Sequence, residues 1–329
     1  MNGLRLYFGH RTVFQLLRTT RPCSRFAVRS GPVKLPDQAP SDEELAKTIE
    51  RLQATHPSMR IDYPIHVLVG SDELRRFSNA CKEHVVSAPL AGRSFYRLTE
   101  GAYAAAPAFV LVQLAAREKS EVALLELAYE VCGTYQTRRT GVDSAYDATS
   151  LASVRDLRDF VSRNPSLDGA RKVARILRYA ADGSASPRET KQALVLGLPP
   201  ARGGYGLGIP RMNYEVRASP AARALTGKAF FRCDLCWPEA KLDVEYQSRW
   251  AHEGEAKRLE GSRRTNALAT MGWTVVGVTN DELDSLAATD AIANTIRRHL
   301  GKRTQVHVSD HHARKLRLRR QLGLPVGYE

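Results

Sequence analysis

The sequence predicts an α/β protein in two parts. An α+β N-terminal part precedes a C-terminal part in which a helix, the two strands of a hairpin, a second helix and a further strand follow one another about a central mixed sheet. Three observations point to this. Between Phe230 and Val278 the residues read as strand, tight turn, strand, loop, helix, strand. In the second of these strands Leu242, Val244 and Tyr246 alternate with Asp243, Glu245 and Gln247, the two-residue period of an extended chain. Upstream, short apolar and aromatic runs at 65–69, 84–86 and 94–98 give way to helical patterns, as in a sheet backed by helices.

Residues 1–35 contain no acidic side chain and several arginines, Arg5, Arg11, Arg18, Arg21, Arg25 and Arg29. Mitochondrial presequences share that composition. The reading favoured here is a short helix, Arg11 to Arg18, opening an N-terminal module of a cytoplasmic protein. Pro36 to Pro40 is a linker, and Ser41 with Glu44 makes a capping box for a helix to about Leu52. After the three short strands, Ala102 to Ala116 passes through Pro107 into an amphipathic helix, and Val122 to Cys132 is another. His66 and His84 invite a metal reading. Isolated strand histidines are usually packed or hydrogen-bonded, so both are expected to be structural. Helices from Ser153 to Arg163 and Asp168 to Ala181 are split by Asn164-Pro165. The second carries Arg171, Lys172, Arg175 and Arg178 opposite Val173, Ile176 and Leu177, a face that is either solvated or tracks phosphates.

In the C-terminal part, Ser186-Pro187-Arg188-Glu189 opens a helix bearing Glu189. The Gly-rich stretch 201–211 fits neither GxGxxG nor a P-loop and is expected to be a flexible loop before the first strand. Trp237-Pro238-Glu239-Ala240 suits a hairpin, and folding about Pro238 and Glu239 sets Asp234 level with Asp243 and diagonal to Glu245. A helix from Glu255 to Met271 carries Lys257, Arg258, Arg263 and Arg264. Trp273 to Val278 reads as a buried strand and Ala291 to Leu300 as a closing helix. The last residues form a basic tail, partly helical through Leu316, Leu318 and Leu322 and expected to be mobile. The expected segments are therefore 1–35, 36–180, 181–300 and 301–329.

With 329 residues the chain is long enough for two modest cores. Its net charge of +14 favours a polyanionic partner, nucleic acid before an anionic membrane surface. No apolar run approaches the roughly 20 residues that span a bilayer, so no membrane segment is expected. Cysteines at 23, 81, 132, 233 and 236 make no disulfide framework in a chain this long. The lone CxxC at Cys233 and Cys236 lacks a second ligand pair for zinc. Strand alternation sends the two thiols to opposite faces, and both are read as reduced and buried.

Two or three carboxylates converging on one sheet face repel each other unless a cation or a basic neighbour sits between them. The order Asp234, hairpin turn, Glu245-Tyr246-Gln247, His252, basic helix, Gly272-Trp273-Thr274-Val275-Val276 resembles the PD-(D/E)XK nuclease superfamily. Within it the stretch 183–300 is most similar to the very-short-patch-repair-like endonuclease-fold domain. Glu189 matches the family's acidic residue on the helix before the sheet. The resemblance implies a restriction-endonuclease-like αβββαβ core and Mg²⁺-dependent phosphodiester hydrolysis, on DNA rather than RNA. It implies catalytic residues Glu189, Asp234, Glu245, Gln247 and His252, with Asp234, Glu245 and the main chain near Tyr246 as metal ligands. Lys257, Arg258, Arg263, Arg264, Arg171 and Arg175 are the expected nucleic-acid contacts. Two departures stand out: Gln247 occupies the usual lysine position, and Gly261-Ser262 replaces an acid common in the following helix. The N-terminal half resembles AbiEi-type antitoxins by its order of strands and helices. That resemblance supports the alternative, a catalytically inactive DNA-binding regulator or antitoxin-like repressor. The sequence leaves the oligomeric state open.

Overall fold

A computed structural model describes residues 5–19, 27–28, 33–74, 78–247, 255–303 and 309–327, with backbone alone at 27–28 and 255–258. The chain divides into two compact units, Met1–Arg178 and Tyr179–Glu329, each a mixed α/β structure with its own sheet. No described helix is long and apolar enough to cross a membrane.

The first unit holds β1 (Leu6–Phe8), α1 (His10–Thr19), β2 (Ala27–Val28), α2 (Asp42–Thr55), β3 (Ile65–Val69), β4 (Cys81–Val85), β5 (Phe95–Thr99) and β6 (Ala102–Ala105). Helices α3 (Pro107–Ala115), α4 (Glu121–Cys132), α5 (Val154–Arg163) and α6 (Ala170–Ile176) follow. The sheet runs β2-β5-β6-β1-β3-β4, with β1 parallel to β6 and antiparallel to β3, and β3 parallel to β4. The capping box at Ser41 and Glu44 forms as expected, and α2 runs one turn past Leu52. Strands β1 and β6 were not expected. The first has only three residues, and the second is mostly alanine, which lacks the β-branched or aromatic signature of a strand. Aromatic side chains knit sheet to helices: Tyr7 meets Phe95 edge-on at 4.7 Å, Phe95 meets Phe109 at 5.8 Å, and Phe109 stacks on Phe160 at 5.5 Å. Gly9 is required between β1 and α1, because a Cβ there would lie 2.4 Å from Leu68 Cδ2.

The second unit runs α7 (Pro187–Gly197), β7 (Arg211–Arg217), α8 (Pro220–Thr226), β8 (Phe230–Trp237), β9 (Leu242–Gln247), α9 (Glu255–Thr270), β10 (Thr274–Thr279), α10 (Asn280–Asp284), α11 (Leu286–His299) and α12 (His311–Gln321). Its sheet order is β10-β9-β8-β7. The pairs β7–β8 and β8–β9 are antiparallel, and β10 is parallel to β9.

Four expectations are corrected here. The hairpin register pairs Cys236 with Asp243 and Trp237 with Leu242, two residues away from the expected Asp234–Asp243 pairing. The cause is a connection still four residues long but moved one residue along the chain: a 3₁₀ turn at Pro238–Ala240, then Lys241 in the left-handed region at φ 47°. Cys233 and Cys236 do not point to opposite faces. Both join one cluster with Ala267 and Leu268 of α9, in the stretch of β8 that lies opposite Asn213 with its φ of 46°. Trp273 is half-buried against that cluster rather than enclosed, as expected beside an edge strand. The basic tail is no free arm: α12 docks on the 3₁₀ turn Pro200–Arg202, burying Leu318, Leu322, Leu324 and Arg319. Arg319 donates to the carbonyls of Pro325, Leu283 and Asp284.

Candidate functional site

Beyond the pair Leu235–Val244 on the hairpin, the Asp234 side chain takes over a backbone role: the Tyr246 N–H donates to Asp234 Oδ2 at 2.9 Å. Burial first, then the negative charge of Glu245, raises the Asp234 carboxyl to about 7. Glu189 sits in the first turn of α7, where the Ser186 side chain accepts from its N–H. Its Oε2 accepts from Ala185 N at 3.0 Å and Asn213 Nδ2 at 2.9 Å, and its Oε1 from Ser186 Oγ at 2.9 Å. Burial raises the Glu189 carboxyl, and the charge of Asp234 adds to that. Asn213 also donates to Gly183 O, so its left-handed backbone serves to bridge the start of α7 to the sheet.

On the adjoining strand Asp243 is fully buried and lies against Glu245 as a carboxyl–carboxylate pair. Burial, then the hydrogen bond with Asp243 and the charge of Asp243, holds the Glu245 carboxyl far above its ordinary range; burial raises Asp243 too, and its hydrogen bond with Glu245 works against that rise. Arg264 of α9 answers both: Nη1 is 2.5 Å from Glu245 Oε1, and Nη2 is 3.5 Å from Asp243 Oδ2 and 2.5 Å from Arg232 O. Gln247 lies over β10, where the missing side chain of Gly277 leaves room for its amide; a Cβ there would lie 2.5 Å from Gln247 Nε2. Gly277 pairs with Glu245, so the Gln247 amide runs alongside the Glu245 row. The Tyr246 hydroxyl donates to Asn280 Oδ1.

Glu189, Asp234, Glu245, Tyr246 and Gln247 thus come together. His252 and the side chains of Lys257 and Arg258 lie outside the described residues. Arg263 and Arg171 are exposed, as a phosphate contact requires, and Arg171 edges a groove between α5 and α6. Two expected contacts are otherwise engaged. Arg175 is held by Glu121 at 2.5 Å, and Arg264 turns inward with a side chain only 19% exposed. The signal for Arg264 was in the chain: Ala267 and Leu268, three and four residues on, are the residues by which α9 meets the sheet, so Arg264 shares that face. Asn213 carried no comparable signal.

The acids are hard oxygen donors, the set that suits Mg²⁺. Burial and then the charge of Glu245 raise the proton affinity of Asp234, and a dication held by the two carboxylates would relieve that repulsion. Glu189 has both oxygens in hydrogen bonds, and its charge and that of Asp234 act on each other.

A second cluster lies in the first unit. His66 and His84 are not isolated: His66 Nδ1 is 2.8 Å from His84 Nε2, and the His10 ring stacks on His84 with centroids 3.5 Å apart. The parallel register β3–β4 pairs Leu68 with His84 and so brings the two strand histidines onto one face. His10 arrives from the start of α1, a juxtaposition that spacing along the chain does not reveal.

No protein-family model matches the chain, and no solved structure does. Two uncharacterized proteins of Mycobacterium tuberculosis, from strains CDC 1551 / Oshkosh and ATCC 25618 / H37Rv, are each 28% identical to it over 170 residues. Those residues are 51% of this chain and 57% of each relative, so the match spans little more than half the length of the curated relatives.

Proposed function

We propose that the second unit binds DNA and hydrolyses its phosphodiester backbone with Mg²⁺, in the manner of the PD-(D/E)XK nucleases that its sequence resembles. The observation that carries this reading is that the half-buried acids Asp234 and Glu245, on β8 and β9, interact electrostatically, with Glu189 close enough for its charge and that of Asp234 to act on each other. The strand order supports it as well: a helix, three antiparallel strands interrupted by the short α8, a helix, and a fourth strand parallel to the third. Asp234, Glu245 and the main chain at Tyr246 would hold the ion, which when bound supplies an activated water and charge stabilisation at the phosphate. The chain's own residues orient and neutralise. Tyr246 N–H fixes one Asp234 oxygen, Glu189 and Asn213 buttress the β7–β8 step, and Gln247 offers an amide to a water. Arg264 contributes the fixed positive charge that Gln247 lacks at the usual lysine position.

A specific observation favours a second reading. The ion pair between Arg264 and Glu245 neutralises one metal-ligating acid without any ion, as suits a DNA-binding regulator that keeps the fold without the chemistry. The experiment that separates the two incubates wild type, Asp234→Asn and Glu245→Gln with mixed DNA and RNA substrates, in Mg²⁺ or Mn²⁺ and in EDTA. Binding is read in parallel at two salt concentrations, since phosphate contacts release counterions. The nuclease reading expects metal-dependent cleavage of DNA that either substitution abolishes while binding persists. Salt-sensitive binding without cleavage in any condition would establish the regulator, and cleavage surviving both substitutions would locate the chemistry elsewhere.

A further inference from the structure

The first unit contains a cavity of about 330 Å³ whose wall includes His10, His84, Gln113, Arg117, Ser166 and Asp168. Three features of that wall belong together. His10 opens α1 at φ 49°, a backbone form that a residue with a side chain seldom adopts, and its ring then lies on His84. One nitrogen from each of His10, His66 and His84 lies within 4.8 Å of the others. Gln113 is 8% exposed. Its Oε1 accepts the His10 N–H at 2.8 Å, and its Nε2 is buried with no hydrogen-bond partner among the described residues. A buried amide donor without an acceptor costs about 1–3 kcal/mol, so its position beside three clustered imidazoles calls for an acceptor in the cavity.

We infer that His10, His66 and His84 bind a transition-metal dication of the zinc class, with a further coordination position open to the cavity beside Gln113. Imidazole nitrogens select borderline metals such as Zn²⁺ over Mg²⁺, so this site is independent of the carboxylates in the second unit. Ligand nitrogens about 2.0–2.1 Å from a tetrahedral zinc stand roughly 3.3 Å apart. To reach that spacing the hydrogen bond between His66 Nδ1 and His84 Nε2 must open and the stacked His10 and His84 rings must turn. Two of the ligands are fixed through their backbones: Thr12 Oγ1 accepts the His66 backbone N–H at 3.0 Å, and Gln113 Oε1 accepts the His10 backbone N–H at 2.8 Å. Three histidines and an open position are the donor set of a catalytic rather than a purely structural zinc. Gln113 Nε2 then donates to the water or small anion that completes the coordination, and Arg117 on the cavity wall favours the anion.

The test uses the full chain, stripped with chelator and titrated with Zn²⁺ against a chromophoric competitor, then with Co²⁺ for its visible spectrum. The expected result is one Zn²⁺ per chain, retained in Asp234→Asn. His84→Gln and His66→Gln should each weaken binding by about 100-fold or more, and Gln113→Ala by about 10-fold, the effect of losing an outer partner. Zn²⁺ should raise the melting temperature of wild type and not that of His84→Gln. Far-UV circular dichroism of the metal-free variants checks that they fold, and Gln113→Ala stands in should a histidine variant fail. The inference is overturned by absence of stoichiometric binding, by affinity unchanged in the histidine variants, or by a thiolate-to-cobalt charge-transfer band assigning the metal to cysteines.

Discussion

Replacing Arg264 with methionine tests the electrostatic arrangement of the candidate site. The guanidinium lies 2.5 Å from Glu245 and 3.5 Å from Asp243, and the three side chains are 19%, 20% and 0% exposed. Removing one member of so buried a pair usually costs about 3–5 kcal/mol, because the remaining charges lose their compensation. Asp243 and Glu245 can take up protons instead, which places the expected loss near the lower end, about 3 kcal/mol at pH 7.5. At pH 5, where that uptake is easier, the loss should be smaller. The double variant with Glu245→Gln should be less destabilised than the sum of the single changes by at least about 1 kcal/mol, the signature of direct coupling. All three tryptophans, at 237, 250 and 273, fall in the second unit, so urea denaturation followed by tryptophan fluorescence in EDTA reports that unit. A loss below about 1 kcal/mol would refute the reasoning and return Arg264 to the surface as a phosphate contact.

Three further outcomes follow from the same structure. The native Asp234 carboxyl is raised from 3.8 to about 7, so the folded state holds a proton that the unfolded state has released. Stability of the metal-free protein should therefore fall as pH rises from about 4 to about 7, by up to about 1.4 kcal/mol per pH unit. Asp243 and Glu245 are raised as well, so Asp234→Asn should lessen the slope of that segment by one proton's share without abolishing it, and an unchanged profile would sink the assignment. Trp273→Ala should cost about 2 kcal/mol in denaturant unfolding, less than the roughly 3–5 of a fully buried aromatic, because Trp273 is half-buried beside an edge strand; a loss of 4 or more would mean that it is enclosed after all. Gly203 has φ 86°, and a Cβ there would lie 2.2 Å from Arg314 O, so Gly203→Ala should release α12 and expose the 311–321 segment to limited proteolysis. Proteolytic resistance equal to wild type would contradict the docking of that helix.

Much of the second unit's element order was legible because its signals are local: the alternation of 242–247, the Ser186 cap of the Glu189 helix, and the turn at Pro238. The hairpin register was not, since it depends on Lys241 adopting a left-handed backbone, which a lysine does not announce. The inward turn of Arg264 was legible but obscured by a reading of the basic residues of α9 as a single surface. Strands β1 and β6 were hidden by brevity and by alanine, and both become strands only because neighbours supply their hydrogen bonds. The histidine cluster lay beyond sequence reasoning. Its three members come from α1, β3 and β4, and only the sheet order β1-β3-β4 brings them together. The docked tail teaches the same lesson, for Arg319 counts as basic surface in the sequence and is 2% exposed in the fold.

The central claim, that Asp234 and Glu245 form a divalent-metal site, is tested most directly by anomalous diffraction from crystals of the full chain grown with Mn²⁺. A manganese peak is expected between the Asp234 and Glu245 carboxylates, with Arg264 drawn away from Glu245 or turned toward Asp243. A map with no peak there at saturating Mn²⁺, and with the Arg264–Glu245 ion pair intact, would contradict it.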